Sequence, residues 1–226
     1  MGVAVATFEV TPTARWRDFD WQLMLYVVLL LGFGVILGVS AAWNDGPSPP
    51  GVIPQPVRTV IWSGIGFAVL AVAASVDYHW LRTFAIPIYL MTLGLLVLNL
   101  LAGNEVFGAQ LSVTIGGLDF QFSEIGKVLM VIVLAAFLAG RGQGIGRLST
   151  IIGWRARDGL GRLVAMGLAT MLLFQVVVNI GMVIGLLPVT GIPLPLITYG
   201  GSSTVSILFG MGILQSVRMH TRTETF

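Results

Sequence analysis

The sequence predicts an all-α fold: a polytopic helical membrane protein with six transmembrane helices and both termini cytoplasmic. Three observations carry that prediction. Hydrophobic residues make up 56% of the 226 residues and charged residues only 10%, with a mean hydropathy of +0.92, whereas an ordinary soluble domain is roughly a quarter charged. Several apolar runs approach the ~20 residues that a helix needs to cross hydrocarbon, and they lack the short alternation of a membrane β-barrel. The arginines also fall mostly on one side of the resulting spans, as the positive-inside rule requires.

Residues 1–20 read as a short cytoplasmic tail carrying Arg15 and Arg17, without the charge, apolar core and cleavage site of a removable signal. The first span is expected at Trp21–Ala42. Its Gly34 and Gly38 form a small-xxx-small step that either seats another helix or is plain apolar filler. Asn44-Asp45-Gly46-Pro47 opens a turn-rich loop that runs to Pro56. The second span is expected at Val57–Val76, followed by a polar turn, Asp77 to Arg82, read as a solvated helix-end cluster with interfacial aromatics. The third, Phe84–Ala102, tolerates Pro87 in its first turn. Residues 103–122 read as a loop. The fourth span covers Phe122–Gly140, and a basic, glycine-rich connector occupies 141–161. The fifth covers Leu163–Leu187 and the sixth Gly201–Val217. The chain thus divides into a four-helix part (21–140), the connector, a two-helix part (162–217) and a short tail (218–226).

With the N-terminus inside, Arg15, Arg17, Arg82, Arg141, Arg147, Arg155, Arg157, Arg162, Arg218 and Arg222 are cytoplasmic, and Arg58 is outside. The chain has no cysteine, so neither disulfides nor thiolate metal sites enter. Its two histidines, His79 and His220, sit at predicted helix ends, which argues against a histidine metal cluster. No cofactor, metal or nucleic-acid partner is expected.

Two outward-facing patches carry the chemistry. The first begins on a helix, where Gln175 and Asn179 are four residues apart and share a face. Pro188, Pro193 and Pro195 then break the chain. Gly200 and Gly201 loosen the backbone before a helix that Ser202 or Ser203 caps. Irregular backbone at membrane depth must be buried in protein or line a wet cavity. The segment is therefore either a polar pocket or a tight interhelical turn. The second patch opens the fourth span, where Glu124 and Lys127 share a helix face three residues apart. They are either a mutual ion pair reaching the interface or part of a cavity in which Lys127 meets an anion as a point charge.

Leu187-Pro188-Val189-Thr190-Gly191-Ile192-Pro193-Leu194-Pro195, followed by Tyr199-Gly200-Gly201-Ser202-Ser203, closely resembles the C-terminal signature of the SEDS family (shape, elongation, division and sporulation). Phe120-Gln121-Phe122-Ser123-Glu124-Ile125-Gly126-Lys127 resembles that family's Gln-Pro-Ser-Glu…Lys motif, and Asp77-Tyr78 with Leu81-Arg82 and the stretch Gly103 to Ala109 fit its early part. The resemblance implies a peptidoglycan glycosyltransferase that polymerises lipid II beside a class B penicillin-binding protein, in the bacterial plasma membrane. Carried over residue by residue, it implies lipid II diphosphate-binding positions at Ser123, Glu124, Lys127, Asn179, Pro188, Gly191, Pro193, Pro195, Tyr199, Gly200, Gly201, Ser202 and Ser203.

The departures are as informative. Phe122 stands where the family has proline, Gly126 where it has alanine, and Gln110-Leu111-Ser112 replaces an Arg-Trp pair. Family members have ten spans. The four middle ones are missing here, with the outer loop that bears the family's catalytic aspartate, and the join falls within residues 141–158. Asp45, Glu105 and Asp119 lie in no comparable motif, so no catalytic residue is assigned. Three roles follow: a shortened polymerase inactive alone, a lipid-linked precursor flippase, or a scaffold for a penicillin-binding protein. Loss of four covering helices is expected to expose polar helix faces.

Overall fold

The computed structural model describes residues 18–44, 53–102, 104–106, 109–115, 118–140, 159–188, 191–197 and 201–220. Seven helices are described: α1 (Trp21–Asn44), α2 (Gln55–Ser75), the single-turn α3 (Trp80–Thr83), α4 (Ala85–Ala102), α5 (Phe122–Gly140), α6 (Gly159–Val183) and α7 (Gly201–His220). The expected loop between α4 and α5 instead holds three short antiparallel strands, β1 (Asn104–Val106), β2 (Ala109–Ile115) and β3 (Leu118–Phe120), in the order β1-β2-β3. Glu105 pairs with Gln110, and Val113 with Phe120.

Four stretches are long and apolar enough to cross a membrane: Trp21–Ser40, Pro56–Ser75, Phe122–Ala139 and Gly159–Val183, with Ala85–Leu98 a shorter apolar helix. α7 is not among them because its serines, Thr204, Gln215, Arg218 and His220 make it less apolar than the other long helices. Ser202, Ser203, Thr204, Ser206, Gln215 and Ser216 on it are all buried. Small polar side chains let neighbouring backbones come close and hydrogen-bond across the contact. An added Cβ on Gly212 would lie 2.6 Å from the Leu70 carbonyl oxygen, and one on Gly201 would overlap the Trp62 indole.

These contacts also fix directions. α7 runs parallel to α2, since Gly201 meets Trp62 and Gly212 meets Leu70. It runs parallel to α5, from Ser202 beside Gln121 to Gly210 beside Val128. It runs antiparallel to α1. Asp20 exchanges hydrogen bonds with the Gln215 amide (2.9 and 3.0 Å), while Gly34 abuts the carbonyls of Leu196 and Ile197, just before α7 begins. One apolar core lies among α5, α6 and α7 (Val128, Ile132, Val164, Leu168, Ile213), and a second joins α1, α2 and α7 (Val27, Leu31, Leu70, Leu208).

Several expectations need correction. The helix expected to run to Leu187 stops at Val183. Gly185 adopts φ +75°, and the Leu186 N–H turns back to the Gly181 carbonyl at 2.8 Å. A left-handed glycine closes this helix before any proline is reached. The connector's last residues, 159–161, already belong to α6, where Leu160 and Gly161 are buried; packing overrides glycine's weak helix propensity. The turn at Asp77 is solvated only in part: Arg82 is exposed, but Tyr78 is only 2% exposed, and its N–H donates to Ser216 Oγ at 3.1 Å. The surface left open is apolar, with Leu29, Phe33, Ile36 and Leu90 among its exposed side chains. The polar faces lie inside around α7, so the expected polar exposure is not seen among the described residues. The residues of the expected join, 141–158, and Tyr199 and Gly200 lie outside the described residues.

Candidate functional site: the N-terminal ends of α5 and α7

The two sequence patches meet at one end of the bundle. Gln121, the residue before α5, donates its backbone N–H to Ser202 Oγ at 3.0 Å. Ser202, at the start of α7, is buried and accepts the Ser206 hydroxyl on its own carbonyl at 2.7 Å. Two helix N-termini therefore lie side by side, parallel, with their positive dipole ends together. Such an arrangement favours an anion.

Glu124 occupies the first turn of α5 and is 3% exposed, while Lys127 is about one-third exposed; Nζ and Oε1 are 2.7 Å apart. The pair neutralises a carboxylate whose isolated burial would cost several kcal/mol. Lys127 keeps N–H donors beyond the one it gives to Glu124. Ser123, the residue before Glu124, is half-buried.

The proline-broken segment is held from α6. Asn179 Nδ2 donates to the Ile192 carbonyl at 2.7 Å, fixing the chain near the start of the Gly191–Pro195 run. Gly191 (φ +70°) and Leu196 (φ +62°) take left-handed backbone, and Leu196 is buried against α1 at Gly34. Left-handed backbone in a bulky residue such as leucine is strained. It is held here by the close approach of α1.

Pro193 and Pro195 are half-buried, whereas Pro188 and Gly191 are exposed. The structure thus brings Ser202 to the Glu124–Lys127 helix and Asn179 to the proline segment, and leaves Pro188 at the surface. Gln175 and Ser203 are buried at 2% and 3%, and among the described residues neither Gln175 Oε1 nor Ser203 Oγ has a hydrogen-bond partner. Buried polar atoms of this kind are costly in an apolar interior unless something meets them.

Sequence reasoning did not place Gln121 or Trp62 in the site. Trp62 is 7% exposed, fills the space beside Gly201 and sits 5.8 Å (ring centroids) from Phe120, which in turn contacts Phe122 at 5.2 Å. Phe122, anomalous against the expected proline, thereby joins an aromatic cluster under the site. No local sequence signal marks Trp62, because its role comes from the parallel contact of α2 with α7.

Fold and site together define a multi-pass helical membrane protein whose polar centre is built at the ends of helices. The family described as cell cycle protein, FtsW/RodA/SpoVE, matches residues 21–150 and 145–223. The chain belongs to that family. The two matched stretches meet at 145–150, inside the expected join. The peptidoglycan glycosyltransferase MrdB of Escherichia coli K12 is 32% identical over 191 residues, covering 71% of this chain and 50% of MrdB. Stage V sporulation protein E of Bacillus subtilis is 39% identical over 108 residues, covering 46% of this chain and 28% of that protein. The chain spans about half the length of the MrdB proteins it matches. Among solved structures, Thermus thermophilus RodA superposes with a TM-score of 0.69 at 24% identity, covering 92% of this chain and 99% of that one. A chain of a peptidoglycan synthase complex that coordinates polymerization and crosslinking superposes with a TM-score of 0.64 at 19% identity, covering 92% and 100%. These two likenesses establish the fold.

Proposed function

We propose that this chain is a peptidoglycan-synthesis protein of the bacterial plasma membrane, and that the joined ends of α5 and α7 receive the diphosphate of lipid II. The observation that carries this reading is the Gln121–Ser202 hydrogen bond. It sets two positive helix ends beside the partly exposed Lys127 cation. A leaving diphosphate needs such fixed positive charge as the glycosidic bond to it breaks. The exposed apolar flanks of α1, α2 and α4 suit contact with membrane lipid and with the spanning helix of a class B penicillin-binding protein. α1 opposed to α7, with α2 and α5 parallel to it, is the order of directions that alternating first, second, fourth and sixth spans require.

The chain by itself holds the pocket and does not polymerise. The sequence offers no acid in a motif resembling the family's catalytic loop, and the match to the family falls in two pieces that overlap at 145–150. A lipid II polymerisation assay against a full-length relative tests this reading. Binding of lipid II without glycan chains is the expected outcome, and polymer made by this chain alone contradicts it. Lipid II translocation in vesicles, with no polymer, points to the flippase role in its place.

A further inference from the structure

A cavity of about 370 Å³ lies at the opposite end of the bundle, between the last turns of α2 and α7. Its walls are apolar, with Val69, Ala73, Phe209 and Ile213 among them, and its rim carries Asp77 and Ser216. Volumes of roughly 300–1,000 Å³ are typical of ligand pockets. Its α2 wall runs from Ala68 to the helix end at Ser75, about 10 Å, and continues through the extended Val76 to Asp77. The cavity is apolar along its α2 wall and charged just beyond the helix end. It opens toward the bilayer, because Val72 and Val76 on its edge are 66% and 50% exposed.

The rim selects the head group. Asp77 Oδ1 accepts the His79 backbone N–H at 3.0 Å and faces the ring Nδ1 at 2.6 Å. Oδ2 has no such partner among the described hydrogen bonds. Ser216 holds the turn in place by donating to the Val76 carbonyl and accepting from Tyr78 N–H. Arg82 is exposed one turn further on. His220 lies against Ser216 (3.1 Å to its carbonyl oxygen), and Arg218 is already paired with Asp20. Asp77 at the mouth, with Oδ2 unpartnered among the described residues, and the exposed Arg82 five residues further on complement a zwitterion whose ammonium meets Asp77 and whose phosphate meets Arg82.

We propose that this groove is a binding site for an amine-headed phospholipid, one acyl chain lying between α2 and α7 and the ethanolamine at Asp77. The site is separate from the α5–α7 pocket and does not depend on its reading.

Native mass spectrometry of the full chain, with phosphatidylethanolamine and phosphatidylglycerol of identical acyl chains, tests it. Retention is expected to favour phosphatidylethanolamine by roughly fivefold, the size of one interfacial charge contact. Asp77→Asn is expected to abolish the preference, and Ala68→Phe, at an exposed wall position, to lower retention of both lipids. Equal retention by the unmodified chain, or a preference that Asp77→Asn leaves intact, overturns the proposal. A groove filled by a second copy of the chain, seen as a dimer that Ala68→Phe splits, also overturns it.

Discussion

The backbone N–H of Gln121 and the hydroxyl of Ser202, 81 residues apart in sequence and 3.0 Å apart in space, tie the start of α5 to the start of α7. Ser202→Ala is expected to lower stability by about 1–2 kcal/mol, because a half-buried N–H loses its acceptor. Ser202→Thr, which keeps the oxygen, should recover most of it. Thermal melts of the three proteins in detergent check both values.

The fit of Gly201 against Trp62 leaves no room for a methyl group, since an added Cβ would lie 2.1 Å from the indole nitrogen. Gly201→Ala is expected to cost about 1–3 kcal/mol through overpacking. Trp62→Leu alone should also destabilise. The double variant should be more stable than the two losses summed, because the smaller side chain relieves the clash. A double-mutant cycle on melting data reads that coupling.

Asn179 holds the proline segment by one side-chain bond to the Ile192 carbonyl at 2.7 Å. Asn179→Leu removes it at a cost of roughly 1 kcal/mol, with its effect concentrated locally. Limited proteolysis should cut faster within 185–197 while the helices stay protected. Cleavage at an unchanged rate would show that Leu196, wedged against α1, is sufficient to hold the segment.

Burial by itself would raise the pKa of Asp77. The hydrogen bonds from His79 and the charge attraction of His79 and His220 outweigh it and hold the carboxyl below its ordinary value. A carboxyl depressed in the folded state contributes stability above its unfolded pKa, near 3.9, and loses it as pH falls through the folded value. Melting temperature should therefore fall below about pH 4 as this carboxyl takes up its proton. Asp77→Asn should flatten that acid limb.

The helices were legible because lipid demands long apolar runs, and their starts at Trp21 and Phe122 follow from that pattern alone. Asp20 was readable too, as an acid immediately before Trp21 whose carboxylate accepts the Leu23 N–H at 3.0 Å. It was assigned to the tail. The strand Ala109–Ile115 alternates polar and apolar residues through Gln110, Ser112 and Thr114; the surrounding glycines hid this under a loop reading. The central place of α7 was not legible. A serine- and glycine-bearing helix has the same composition whether it lines a pocket or is enclosed by neighbours, and only the contacts with Trp62, Leu70 and Val128 decide. Glu124 and Lys127 were found by spacing, but their burial depended on which helices surround them.

Binding of undecaprenyl-diphosphate-linked precursor to the purified chain, compared with Lys127→Met, tests the pocket most directly. Loss of a charge-assisted contact to phosphate should weaken binding by about tenfold or more, with undecaprenol, which lacks the phosphates, unaffected. Equal affinity of both proteins for the diphosphate lipid would contradict the account.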